Sequence, residues 1–215
     1  MKKTAVVFGA TGLTGRNLVR LLCEDERYDV VKIFTRKESG IKGAKIDEIV
    51  IDFRKMDDNR KLVTGDEVFC CLGTTIAAAG SEAAFRRVDF EWVRWCAISA
   101  AENGVKKFLA ISSLGANPAS KNFYLRTKGE MEKAVSAVNF EKCAIFRPSM
   151  LLGARKEFRF GELTGKFFMR AFSVFVPKKY KAVRSETVAK AMLKVANDAA
   201  LNGVIGNELI LALGK

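Results

Sequence analysis

Glycines at positions 9, 12 and 15 follow a short apolar run at residues 5–8 and precede a segment, residues 17–23, in which polar and apolar residues alternate at helical period. Strand, glycine turn and helix in that order constrain this chain more than any other stretch. The run is β-branched, the composition of a strand buried on both faces. The GxxGxxG spacing then supplies what a dinucleotide needs from a backbone. Gly9 permits the sharp turn, Gly12 lets the main chain approach a pyrophosphate, and Gly15 brings the helix against the sheet. The first helical N–H groups and the macrodipole face the phosphates.

Further strands are expected at residues 30–34, 46–51, 67–72, 107–111 and 140–146, with a last one in the closing ELILALGK. Between them, residues 54–61 read as a loop or short exposed helix. Gly80 and Ser81 open a long helix to about Asn103, and helical spacing resumes from Phe123. Ser185, Glu186 and Thr187 open a final amphipathic helix. Strands alternating with helices argue for a doubly wound, mostly parallel α/β sheet of the Rossmann kind. A chain of 215 residues suits a single domain. Residues 148–215 form a short helical and strand extension on the substrate side. In the long helix, Val88, Trp92, Trp95 and Ser99 make a stripe that suits helix packing, although the tryptophans could equally mark a subunit contact.

Composition removes several function classes. There is no histidine, and Cys23, Cys70, Cys71, Cys96 and Cys143 lack metal-ligand spacing. No metal site and no histidine-based triad is expected. An odd number of cysteines in apolar runs suggests buried thiols in a reducing compartment. Two lysines before an apolar run mimic a signal peptide, but the run is short and broken by glycines. The expected location is therefore cytoplasmic. The net charge of +13 fits a basic soluble surface, attraction of a phosphorylated small molecule, or an anionic polymer or membrane. The basic residues are spread along the chain without a nucleic-acid-binding signature, so no nucleic-acid partner is expected. Residues 162–176 interleave five phenylalanines and methionines with Lys166 and Arg170, beside the basic run Lys178, Lys179 and Lys181. That stretch suits a cover over the active site, a dimer surface or a peripheral membrane contact.

Cofactor choice is written at the end of the second strand. Arg36 and Lys37 stand about 20 residues beyond the glycine turn, where an NAD-specific site places an acid and an arginine accommodates a 2′-phosphate. NADP(H) is expected; the structural alternative is a solvated basic turn. Asp52, after the third strand, is counted on the cofactor side. Gly73, Thr74 and Thr75 close the fourth strand with small residues, as close cofactor approach requires.

Tyr124 and Lys128, four apart on a helix, face one way. A tyrosine is a poor acid or base at neutral pH, with a reference pKa of about 10, and a neighbouring ammonium favours the phenolate. Lysine also holds a ribose hydroxyl. A hydroxyl from Ser113 or Ser112 could orient a substrate carbonyl, so the set Ser113, Ser112, Tyr124 and Lys128 suits hydride transfer with proton donation by Tyr124. The chain contains a decoy of identical spacing, Tyr28 and Lys32. It enters a strand, where four residues span about 13 Å.

GATGLTGR, CCLGTT, ISSLGA, YLRTKGEMEK and FRPSMLLGAR in this order resemble the atypical short-chain dehydrogenase/reductases, and among them the Tat-interacting-protein oxidoreductase group. The resemblance covers nearly the whole chain. It implies a Rossmann fold, NADP(H), and cofactor contacts at Thr11, Gly12, Leu13, Thr14, Arg36, Lys37, Leu72 and Gly73. It implies catalysis by Tyr124 and Lys128, and cofactor approach by Leu151 and Arg159. One departure stands out: extended relatives commonly carry asparagine in the middle helix after a valine, and here the pair is Val88-Asp89. The region after Arg147 is also short, so the pocket is expected to be small, open or completed by a partner, in a monomer or homodimer. Two functions follow: a carbonyl reductase, or an NADP(H)-binding regulatory or sensor protein with little turnover.

Overall fold

The computed structural model describes residues 2–152 and 177–215. The chain begins with β1 (Lys3–Phe8), α1 (Leu13–Glu24), β2 (Tyr28–Thr35) and β3 (Ile46–Val50). A 3₁₀ turn at Met56–Leu62 leads to β4 (Glu67–Cys70). Two short helices, α2 (Ile76–Ala79) and α3 (Glu82–Arg86), run through a π-helical stretch, Arg87–Trp92, into α4 (Val93–Glu102). There follow β5 (Lys107–Ile111), α5 (Phe123–Ser136), β6 (Lys142–Arg147) and β7 (Leu151–Leu152). The described chain ends with β8 (Val183–Arg184), α6 (Ser185–Ala196), β9 (Gly203–Gly206) and α7 (Asn207–Leu213).

Seven strands form one sheet in the order β3-β2-β1-β4-β5-β6-β9, every neighbour parallel, and β7 pairs with β8 separately. The order reverses between β1 and β4, which opens a crevice beyond their carboxyl ends. Helices cover both faces, as a parallel sheet requires. On one face Leu18 and Leu22 of α1 pack with Val188 and Met192 of α6. On the other, Phe8 stacks on Phe34 at 4.7 Å and meets the edge of Trp95 at 6.3 Å.

Two expectations change. The closing ELILALGK is not a strand: its first six residues lie in α7, and the seventh strand of the sheet is the preceding GVIG. Glutamate, leucine and alanine are strong helix formers, and a short apolar run cannot be told apart by periodicity alone. Ile205 of β9 is buried beside β6, and a Cβ on Gly214 would sit 2.1 Å from the Thr187 carbonyl oxygen, so the chain end lies tight against α6. The long middle helix is interrupted by its π-helical stretch; Trp95 and Ser99 of the anticipated stripe are buried with Phe85, Asp89, Val93, Cys96, Ala97 and Ala100, while Val88 and Trp92 are only half-buried. The tryptophans are used within the fold: Trp95 Nε1 donates to Asp57 Oδ1 at 3.1 Å, and Trp92 packs on Phe53 at 4.8 Å. All five cysteines are free thiols. Among the described residues no helix is long and apolar enough to cross a membrane.

Candidate active site

Gly9 sits at φ +78°, and a Cβ there would lie 2.7 Å from the main-chain carbonyl of Cys71. Only glycine combines that backbone with such an approach. A Cβ on Gly15 would come within 2.1 Å of the Gly9 oxygen, so α1 is pressed against its own turn. Gly12 caps α1 without a side-chain bond. The helix therefore begins with unsatisfied N–H groups and its positive dipole end open, as a phosphate requires.

A cavity of about 630 Å³ opens at this point. It gathers Gly12, Leu13 and Thr14 from the turn, Leu72, Gly73 and Thr74 from beyond β4, Ser112 and Ser113 from beyond β5, Tyr124 and Lys128 from α5, and Leu151 from β7. Gly9 and Gly15 stand behind the wall as packing residues. Thr11 is exposed, its carbonyl accepting from Arg16 Nε at 3.1 Å. Arg36 and Lys37 are exposed beyond the end of β2 and lie outside the cavity wall; among the described residues neither has a side-chain hydrogen bond or salt bridge. Asp52 is also outside the wall. It is exposed, and hydrogen bonds from Arg54 hold its carboxyl below the usual value. Arg159, like the aromatic and basic stretch 162–176, falls outside the described residues.

Asn122 begins α5, its Oδ1 accepting from the Leu125 amide at 3.1 Å. A Cβ on Gly129 would lie 2.2 Å from the Pro118 nitrogen, so the loop after β5 is clamped to the helix. This clamp fixes α5 beside the serines. Tyr124 is half-buried, with its ring 5.3 Å from that of Phe85. Lys128 is 3% exposed; its Nζ lies 2.8 Å from Asp89 Oδ1 and donates to the Ile111 carbonyl at 3.4 Å. Asp89 is fully buried, and its Oδ2 accepts from the Thr74 amide at 2.8 Å. Its Oδ1 makes the ion contact with Lys128 without an aligned hydrogen bond.

The two serines part company. Ser112 is buried and its Oγ has no hydrogen-bond partner among the described residues, while its amide donates to the Phe146 carbonyl at 2.7 Å. Ser113 is half-buried, and its Oγ makes a long bond of 3.4 Å to the Leu114 carbonyl. Ser113 therefore has the more accessible hydroxyl. The decoy behaves as a strand pair: the Tyr28 hydroxyl donates to Glu67 Oε2 at 2.7 Å, and Lys32 Nζ donates to Thr64 Oγ1 at 2.9 Å. Asp89 lines the cavity although the sequence marked it only as a departure. Its signal was a lone acid in an otherwise inward-facing helix position.

An open helix start, a glycine turn that admits main-chain approach and a buried lysine in one cavity fit a dinucleotide. The comparisons agree. Residues 9–199 match a protein family described as NAD(P)H-binding. Protein HTATIP2 of Rattus norvegicus is 34% identical over 219 residues, covering 99% of this chain and 90% of that protein. The protein named FMP52, mitochondrial, of Debaryomyces hansenii is 30% identical, with 93% and 90% covered. The crystal structure of UDP-glucose 4-epimerase from Thermotoga maritima superposes with a TM-score of 0.68 at 18% identity, covering 98% of this chain and 81% of that one, which shows the fold. The yeast relatives named as mitochondrial overturn the cytoplasmic expectation. That expectation rested on excluding a secretory signal, and such an exclusion does not distinguish cytoplasm from an organelle.

Proposed function

This chain belongs to the NAD(P)H-binding family, and from that premise we propose that it is an NADP(H)-dependent oxidoreductase acting on a small carbonyl substrate with Tyr124 as proton donor. The observation that carries the reading is the meeting of Tyr124, Lys128 and Ser113 with the glycine turn in one cavity. Gly12, Leu13 and Thr14 would hold the pyrophosphate at the start of α1. Gly73 and Thr74 line the cavity beside it, and Lys128 would bind the ribose hydroxyls. The reduced nicotinamide, when bound, supplies the hydride. Ser113 orients the carbonyl oxygen by donating a hydrogen bond, and Tyr124 gives its hydroxyl proton to that oxygen as the carbonyl becomes an alcohol. Solvent then returns the proton to the resulting phenolate.

Preference for the phosphorylated cofactor rests on Arg36 and Lys37, exposed just beyond β2 and able to turn toward a 2′-phosphate. Arg36→Asp is expected to raise the KM for NADPH about tenfold or more, since a charge-assisted contact of about 1.5–3 kcal/mol is lost. Unchanged constants for both cofactors would contradict the assignment.

Turnover of NADPH against a panel of aldehydes, ketones and quinones tests the chemistry. Tyr124→Phe is expected to lower kcat at least about a hundredfold, the scale of one general acid. Full activity in that variant on any accepted substrate overturns the mechanism. Tight NADPH binding with no turnover across the panel would instead favour the sensor function.

A further inference from the structure

The π-helical stretch Arg87–Trp92 does more than bend a helix. A π turn shifts the phase of the residues around it and recurs at functional sites. Here its one buried residue is Asp89, fully enclosed. A carboxylate in such a place must be paired or neutralised, because an isolated buried charge is prohibitively unfavourable. Asp89 meets that need with one oxygen on each of two partners: Lys128 Nζ at 2.8 Å and the Thr74 amide at 2.8 Å. Lys128 stands on α5 and Thr74 follows β4, so a single side chain ties two separate walls of the cavity together.

We propose that Asp89 is a positioning residue that acts through Lys128: it anchors the ammonium, compensates its charge, and so sets the lysine in place before the cofactor arrives. The inference rests on reading this cavity as the NADP(H) site. A lysine has a flexible four-carbon stem, and ordering it in advance removes a cost that ligand binding would otherwise carry. Asparagine, common in extended relatives according to the resemblance, would keep the acceptor for Thr74 and give up the charge. Aspartate at this point gives Lys128 a counter-ion that asparagine cannot supply. The expected result is a cavity whose lysine is oriented and internally balanced.

A double-mutant cycle on cofactor affinity tests this without any substrate. NADPH dissociation constants would be measured by fluorescence titration for the native protein, Asp89→Asn, Lys128→Met and the double variant. Each single change is expected to weaken NADPH about tenfold, and the double change also about tenfold, the non-additivity of residues acting as one unit. Effects that multiply to about a hundredfold would overturn the inference, as would an unchanged constant in Asp89→Asn accompanied only by a lower melting temperature. An unchanged constant in Lys128→Met is a separate outcome: it contradicts the cofactor-site reading itself, and with it the inference. Near-UV circular dichroism checks folding, and Asp89→Ser replaces Asp89→Asn in the cycle if the latter does not fold.

Discussion

At the amino ends of the parallel strands, Lys3, Tyr28, Glu67, Lys107 and Lys142 each open a strand, and the first four form a polar network centred on Glu67. Glu67 is 1% exposed and accepts from Lys3 at 2.7 Å, Lys107 at 3.0 Å and the Tyr28 hydroxyl at 2.7 Å. Asn197 completes the ring, donating to Tyr28 Oη at 3.0 Å and accepting from Lys3 at 2.7 Å. Lys107 and Lys142 also donate to the carbonyls of Ala196 and Val195, at the negative end of α6, where cations are stabilising. Burial, with the charge of Glu67, pushes the Tyr28 hydroxyl far above its ordinary pKa, so it stays a donor. The carboxyl ends of the same strands use the same residue types differently. There a buried acid, Asp89, holds a buried lysine, and the tyrosine of the pair faces a cavity. Tyrosine, lysine and carboxylate make a structural lock where each group is paired within the network, and a site where volume is left beside them.

Breaking the lock should therefore hurt stability and spare function. Glu67→Ala leaves two cations and a buried hydroxyl without their common acceptor. A loss of about 3–5 kcal/mol is expected, a melting temperature lower by about 6–20 °C, with NADPH affinity of the folded fraction unchanged. Thermal denaturation alongside NADPH titration checks both halves; a stable variant with impaired binding would mean that the two ends are coupled. A smaller effect comes from Asp25, just before β2, whose carboxyl is held below its ordinary value of 3.8 by hydrogen bonds from Arg27. A depressed acid stabilises the fold above its unfolded pKa, and that contribution is lost as pH falls through the folded value. Asp25→Asn should lower the neutral plateau slightly and flatten the acid limb of a stability-versus-pH curve below about pH 4, so that variant and native protein converge at low pH. A limb of undiminished slope would assign it to other carboxylates.

The legible parts of this molecule were those decided locally. The glycine turn, the fifth strand at Lys107–Ile111 and the helix bearing Tyr124 and Lys128 follow from spacing over a few residues. Strand against helix also separated Tyr28 from Tyr124, because four residues in a strand reach about 13 Å and four in a helix reach one turn. The rest depended on contacts far apart in sequence. Asp89 gains its meaning only from Lys128 and Thr74, and nothing in its neighbours signals a π-helical turn. ELILALGK was ambiguous until GVIG claimed the sheet edge. Ser112 and Ser113 are adjacent and chemically identical, and only burial distinguishes them. Cellular location was beyond reach because an address is read by other proteins rather than imposed by packing.

The most direct measurement sets the two tyrosines side by side. Tyr28→Phe and Tyr124→Phe each remove one hydroxyl, and NADPH turnover and melting temperature are recorded for both. Tyr28→Phe should lose about 1 kcal/mol of stability and keep its turnover, whereas Tyr124→Phe should keep its melting temperature and lose turnover at least about a hundredfold. Full turnover in the Tyr124 variant, or loss of turnover in a folded Tyr28 variant, would contradict the division of the sheet into a structural end and a chemical one.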